Sequence, residues 1–252
     1  MVALALAGAC SGETGAPAAA PASTTAVTTT SRPGQPGAGS STTFGTPAAP
    51  GAPTSARASI ARTAVERDGL LVHRVIAGAT SATVLVHAEQ PATATTAASA
   101  VVEIITVGLD GSITGRRQIR QAVPPTAAAS GRTMFDGAGD PAATADIVAN
   151  EAVVRRLYTE VFNGKDVGVI DALVAPDYAQ HNPAVPDGVA GLKALAANGL
   201  PATVREVVAQ GDLVAVVADY GTIPAVDIFR LSGGRIVEHW DVLQLAPAPA
   251  PS

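Results

Sequence analysis

The chain has 252 residues, room for one or two domains, yet only 3% are aromatic and 15% charged. Its net charge of −5 is uneven: residues 142–252 hold seven Lys/Arg against thirteen Asp/Glu. The absence of a basic stripe excludes a nucleic-acid-binding role, and a single cysteine, Cys10, excludes an internal disulfide.

In chain order, Val2–Ala9 is a short apolar run ending in small residues just before Cys10. It resembles the end of a bacterial lipoprotein signal peptide, in which the cysteine is lipidated. A run of this length suits a signal segment and is too short to span a bilayer. The expectation is an exported protein, anchored at the membrane of a bacterial cell envelope by a lipid on Cys10. Residues 11–58 are rich in Ala, Pro, Ser, Thr and Gly and read as a disordered spacer.

From Ser59 the composition changes. A short helix over Ser59–Glu66 is followed by four β-branched runs, Leu70–Ala77, Thr83–Glu89, Ala100–Val107 and Ser112–Gln121, the last two joined by a turn at Gly108–Gly111. Residues 59–122 therefore form a sheet unit and 123–143 a second linker. The region 144–247 begins with an amphipathic helix capped by Asp146 or Asn150 and ended by Asn163-Gly164. A shorter helix capped by Asp166 runs to Val174, Tyr178–Pro183 is a crossing loop, and a helix covers Val189–Asn198. Four strands follow: Thr203–Ala209, Leu213–Tyr220, Ala225–Leu231 and Arg235–Gln244. Residues 248–252 are a tail. The two four-strand stretches align, Glu103 on Asp227, Gly111 on Gly234 and Gln121 on Gln244, so residues 59–122 read as a degenerate second copy.

The segments DIFRLSGGRIVEHWDVLQ (Asp227–Gln244) and DYAQHNP (Asp177–Pro183) resemble the SnoaL-like branch of the nuclear transport factor 2-like superfamily. The resemblance implies an α+β fold, a curved antiparallel sheet wrapped on helices as a cone (nuclear transport factor 2-like, cystatin-like). Here there would be one complete copy and one incomplete, sheet-only copy. It also implies an internal pocket, with His181 at its wall and with sheets that associate through their outer faces. On that basis residues 59–122 dock on the later sheet as an internal pseudo-dimer.

Along the last strand His239 and Asp241 share one face, while Glu238, Trp240 and Gln244 share the other. The candidate catalytic residues are His181, Asp227, His239 and Asp241. Tyr178, Phe229, Trp240 and Gln244 are the candidate ligand-binding residues. Relatives with known chemistry carry an acid four residues after the tryptophan, where this chain has Gln244, and a histidine pair where it has Val217, Ala218 and Asp219. No metal and no cofactor are therefore expected. The leading expectation is a tethered module binding a small apolar molecule. The alternative is a cofactor-independent acid/base enzyme (cyclase, aldol-condensation, isomerase or dehydratase type) acting on a small carbonyl compound, with Asp227 or His239 as base and His181 stabilising the enolate.

Overall fold

A computed structural model describes residues 54–143, 145–197 and 199–245. The expected signal segment with Cys10, nearly all of the spacer and the 248–252 tail lie outside the described residues. Within them no helix is long and apolar enough to cross a membrane.

Helix α1 spans Thr54–Arg67 and so starts before the expected spacer boundary at residue 58. Arg57, Ala61 and Val65 recur every four residues and are its buried face. Arg57 turns inward because its guanidinium meets the Gly78 carbonyl at 2.6 Å. Strands β1 (Leu71–Ala77), β2 (Thr83–Gln90), β3 (Ser99–Val107) and β4 (Ile113–Ala122) follow as an antiparallel meander. Alternation divides them cleanly. Val75, Val84, Val86, Val101 and Ile105 pack under α1. Ile76, Leu85, Val102 and Ile104 face the opposite way.

That second face meets another sheet. Helix α2 (Ile147–Arg156) is capped by Asp146, whose carboxylate accepts from the Ala149 N–H at 3.0 Å. It runs on as a π-helical segment, Leu157–Asn163, whose wider turn keeps Leu157, Tyr158, Val161 and Phe162 all buried. A short turn leads through α3 (Ile170–Leu173) to β5 (Val174–Gln180), then α4 (Gly188–Ala196) and strands β6 (Ala202–Gln210), β7 (Leu213–Tyr220), β8 (Ile223–Ser232) and β9 (Arg235–Leu243). The sheet order is β5-β9-β8-β7-β6, with β5 alone parallel to its neighbour.

Strand β5 was hidden in the sequence. The helix expected through Val174 stops earlier, and the expected crossing loop is partly strand. Pro176 is tolerated because it sits exposed on an edge strand, where its missing N–H breaks no ladder.

The inner face of this sheet, with Val214, Val216, Ala218 and Phe229, packs on the helices. The outer face, with Leu213, Ala215, Val217, Ile228, Trp240 and Val242, packs on Ile76, Leu85, Val102 and Ile104 of the first sheet. The described residues thus stack as helix, sheet, sheet and helices, and both faces of both sheets are covered.

The segment Thr133–Gly137 threads along this inter-sheet layer. Gly137 has φ +90, and a Cβ there would collide with Glu238 Oε1 and Trp240 Cζ2. Gly137→Ala is therefore expected to destabilise the protein by about 2 kcal/mol or more, read as a lower melting temperature.

Candidate functional site

A half-open cavity of about 300 Å³ lies between the inner sheet face, the π-helical segment, the loop after β5 and the end of β4 with the residues just after it. Its wall is mostly apolar, with Phe162, Leu192, Leu200 and Phe229 among the lining residues, and no lysine or arginine lines it among the described residues. One end is polar. Period-2 alternation brings Asp227 of β8 and His239 and Asp241 of β9 to it, and Asp227 pairs across the ladder with Asp241.

Both oxygens of Asp227 have partners. Its Oδ2 accepts from the Tyr158 hydroxyl at 2.5 Å and the Tyr220 hydroxyl at 2.9 Å, and its Oδ1 lies 3.1 Å from His239 Nε2. Burial, followed by the Asp227 charge, holds both phenols well above their ordinary value, so they remain donors. Tyr158→Phe is expected to cost about 1–3 kcal/mol of stability, since a charged acceptor loses a donor in a buried site. Thermal unfolding would measure it.

The amides fix the remaining protons. Gln180 Oε1 accepts from the Asn182 N–H at 2.9 Å, an obligate donor, so the atom facing His239 Nδ1 at 3.0 Å is that same oxygen. His239 therefore carries hydrogen on Nδ1, and one further proton lies between Nε2 and Asp227 Oδ1. Gln180 Nε2 donates to the Tyr178 hydroxyl at 3.0 Å. Among the described residues the Tyr178 hydroxyl proton has no acceptor. Burial first, with the Asp241 and Asp227 charges adding, keeps that phenol protonated.

Asn182 is oriented in the same way. Its Oδ1 takes the Ala184 N–H at 2.8 Å, so its Nδ2 donates to Asp241 Oδ2 at 2.6 Å. The other oxygen, Asp241 Oδ1, is buried and has no hydrogen-bond partner. Burial pushes the Asp241 carboxyl up to about 6, the His239 charge opposing and Asp227 adding to the rise.

Of the sequence candidates, Asp227, His239, Asp241, Tyr178 and Phe229 come together at the cavity. Three do not. His181 turns to the outer layer, where its ring stacks on Trp240 at 4.9 Å. Trp240 is fully buried between the sheets, on the face opposite His239, and its indole N–H donates to the Asp136 carbonyl. Gln244 lies past the end of β9, exposed. The first two corrections follow from strand parity, since residues one apart from His239 or Asn182 point away from the cavity, while Gln244 falls beyond the strand. Sequence reasoning missed Gln180, Asn182, Tyr158 and Tyr220. Gln180 and Asn182 flank His181, so parity on a recognised β5 would have found them.

Asp227, His239 and Asp241 could each present a ligand atom within 4.8 Å of the others. They do not fit a resident ion well. His239 Nδ1 and Nε2 are both engaged, both oxygens of Asp227 have partners, and the Asn182 amide points its hydrogens at Asp241.

A curved sheet folded over helices around this pocket, with polar groups on the last two strands, has the architecture expected of a nuclear transport factor 2-like cone. Residues 154–239 match the family model of the SnoaL-like domain. Solved structures similar to the chain include TsrD from Streptomyces laurentii, at 21% identity, 40% of this chain, 91% of that one and TM-score 0.35. IdmH from Streptomyces antibioticus matches at 26% identity over 37% of this chain and 91% of that one, TM-score 0.32. AclR from Streptomyces galilaeus matches at 20% identity over 40% and 93%, TM-score 0.35. No curated protein matches the chain.

Proposed function

We propose that the cavity is a cofactor-independent acid–base site that moves a proton next to the carbonyl of a small, neutral, largely apolar compound. One observation carries this reading above a purely binding role: Asp241 lines the cavity, and its Oδ1 is buried with no hydrogen-bond partner. A pocket built only to bind would have little use for a carboxylate oxygen left without a donor. A base needs just that, together with an acidity near neutrality. The base is thus Asp241; both oxygens of Asp227 and both ring nitrogens of His239 already have partners.

In this reading the Asp241 carboxylate takes a proton from the carbon beside the carbonyl, becoming the neutral acid. The enolate oxygen is held by the free Tyr178 hydroxyl proton, in the role first expected of His181. The proton then returns to carbon, at the same or a neighbouring position. The Asp227–His239–Gln180 chain keeps Tyr178 oriented through Gln180 Nε2. With two carboxylates at the polar end and no lysine or arginine in the wall among the described residues, phosphates and free acids are disfavoured.

The test uses simple neutral probes, cyclic ketones and 1,3-diketones, incubated with the full chain in D₂O and followed by proton NMR. Loss of the α-proton signal faster than in buffer, abolished in Asp241→Asn, is the expected result. Probe binding with no enhanced exchange would return the protein to the binding-module reading.

Membrane attachment is a separate proposal, resting on the Val2–Cys10 sequence alone. A Cys10→Ser variant that still fractionates with membranes in a bacterial host would overturn it.

A further inference from the structure

Strand β5 is the edge of its sheet, and its ladder with β9 holds only three residue pairs, with a register shift between Val174 and Ala179. Backbone pairing by itself leaves the end of such a strand poorly fixed. Yet that end carries Gln180 and Asn182, the two amides that orient His239 and Asp241. Something must hold it.

The residue between them points the other way. His181 is 1% exposed, its backbone N–H donates to the His239 carbonyl, and its ring makes three contacts in the inter-sheet layer. It stacks on Trp240 at 4.9 Å, Nδ1 lies 2.7 Å from the Thr133 carbonyl, and Nε2 lies 2.9 Å from Glu238 Oε1. A carbonyl only accepts, so Nδ1 carries hydrogen, and a second proton bridges Nε2 and the carboxylate. The Thr133–Gly137 strap that supplies this carbonyl is itself clamped. Trp240 Nε1 donates to the Asp136 carbonyl at 2.8 Å, and Arg74 of β1 donates to the carbonyls of Phe135 and Asp136.

We infer that His181 is a positioning residue: it locks Gln180 and Asn182 against His239 and Asp241, using a strap that Arg74 anchors to the first sheet. The inference rests on the acid–base reading of the cavity. It gives the first sheet, whose β4 already lines the cavity with Gln121 and Ala122, a second part in the site through the strap. The alternation Gln180, His181, Asn182 is what makes it possible, since two side chains enter the cavity and the one between them is bolted outside it.

The experiment compares the full chain with His181→Gln by two NMR readouts: the ¹³C-carboxyl titration of Asp241 and amide hydrogen exchange at position 181. In the unaltered chain Asp241 is expected to titrate near 6. In His181→Gln the loop loosens and water reaches Asp241. Its step falls by at least one pH unit, and amide exchange at position 181 quickens at least tenfold. Loss of the His181 charge alone works the other way, because that charge holds the Asp241 carboxyl down. A step that stays at or above its original position, or unchanged exchange at position 181, therefore overturns the inference. If His181→Gln does not fold, Trp240→Phe, which keeps a ring under His181 but removes the strap's donor, is read in the same way. A step in the ordinary carboxylate range for the unaltered chain would instead defeat the acid–base reading, while the exchange comparison still decides the positioning role.

Discussion

Asp241→Asn is expected to lower probe exchange by at least about 100-fold, the usual contribution of a positioned base, and at the same time to make the protein more stable at neutral pH. The second effect follows from the first group's environment. Burial raises the Asp241 carboxyl from 3.8 to about 6, so the folded state holds this proton more tightly than the unfolded chain does. That preference stabilises the fold fully below pH 3.8, fades as pH rises, and is gone above 6, where the wild type must bury a charge. A displacement of about two pH units corresponds to roughly 3 kcal/mol. Urea unfolding should therefore show Asp241→Asn ahead by about 2–3 kcal/mol at pH 7.5 and level with the wild type near pH 4. Equal stabilities at pH 7.5 would mean that the carboxylate is solvated and unfit as a base. Gains in stability from removing a strained functional group are the expected trade in such sites.

Arg74→Ala is expected to produce the largest loss of stability. Arg74 is fully buried between the sheets, with its guanidinium 3.7 Å above the Trp240 ring, bonded to His87 Nδ1 at 3.0 Å and to the Phe135 carbonyl at 2.9 Å. Burial lowers this arginine to about 10, the Glu238 charge opposing, and it remains a cation at neutral pH. Its removal strands the strap carbonyls and leaves Glu238 with less compensation, a change worth about 3–5 kcal/mol. For a chain of this size that is a fall of roughly 10 °C in melting temperature. Because Trp240 is the only tryptophan, its fluorescence emission reports directly on the layer and should shift to the red. His87 adds to the effect. Burial, the largest cause of its lowered pKa, persists without Arg74, so His87 cannot replace the lost cation.

Most of the elements were legible before any coordinates. Strand β7 lies where Leu213–Tyr220 was read, because β-branched residues between Gly211 and Gly221 leave few alternatives. The Asp146 cap, the Gly164 stop and the two meanders followed from local chemistry in the same way. Sequence also partitioned the last strand correctly into His239 with Asp241 and Glu238 with Trp240.

It could not say which set faces the cavity. Strands β8 and β9 have polar groups on both faces, and both faces are buried, so the usual rule that the apolar side goes inward has nothing to act on. That choice is made by the layer above. The first sheet covers the outer face and, through Arg74 and the Thr133–Gly137 strap, gives Trp240 and His181 partners that no local segment contains, and His181 in turn pairs with Glu238. With those three held outside, Asp227, His239 and Asp241 are left to the cavity, and the free oxygen of Asp241 exists because Asn182, 59 residues away in the chain, satisfies only the other one. Local propensity determined the elements; contacts between residues far apart in sequence decided which side chains do the chemistry.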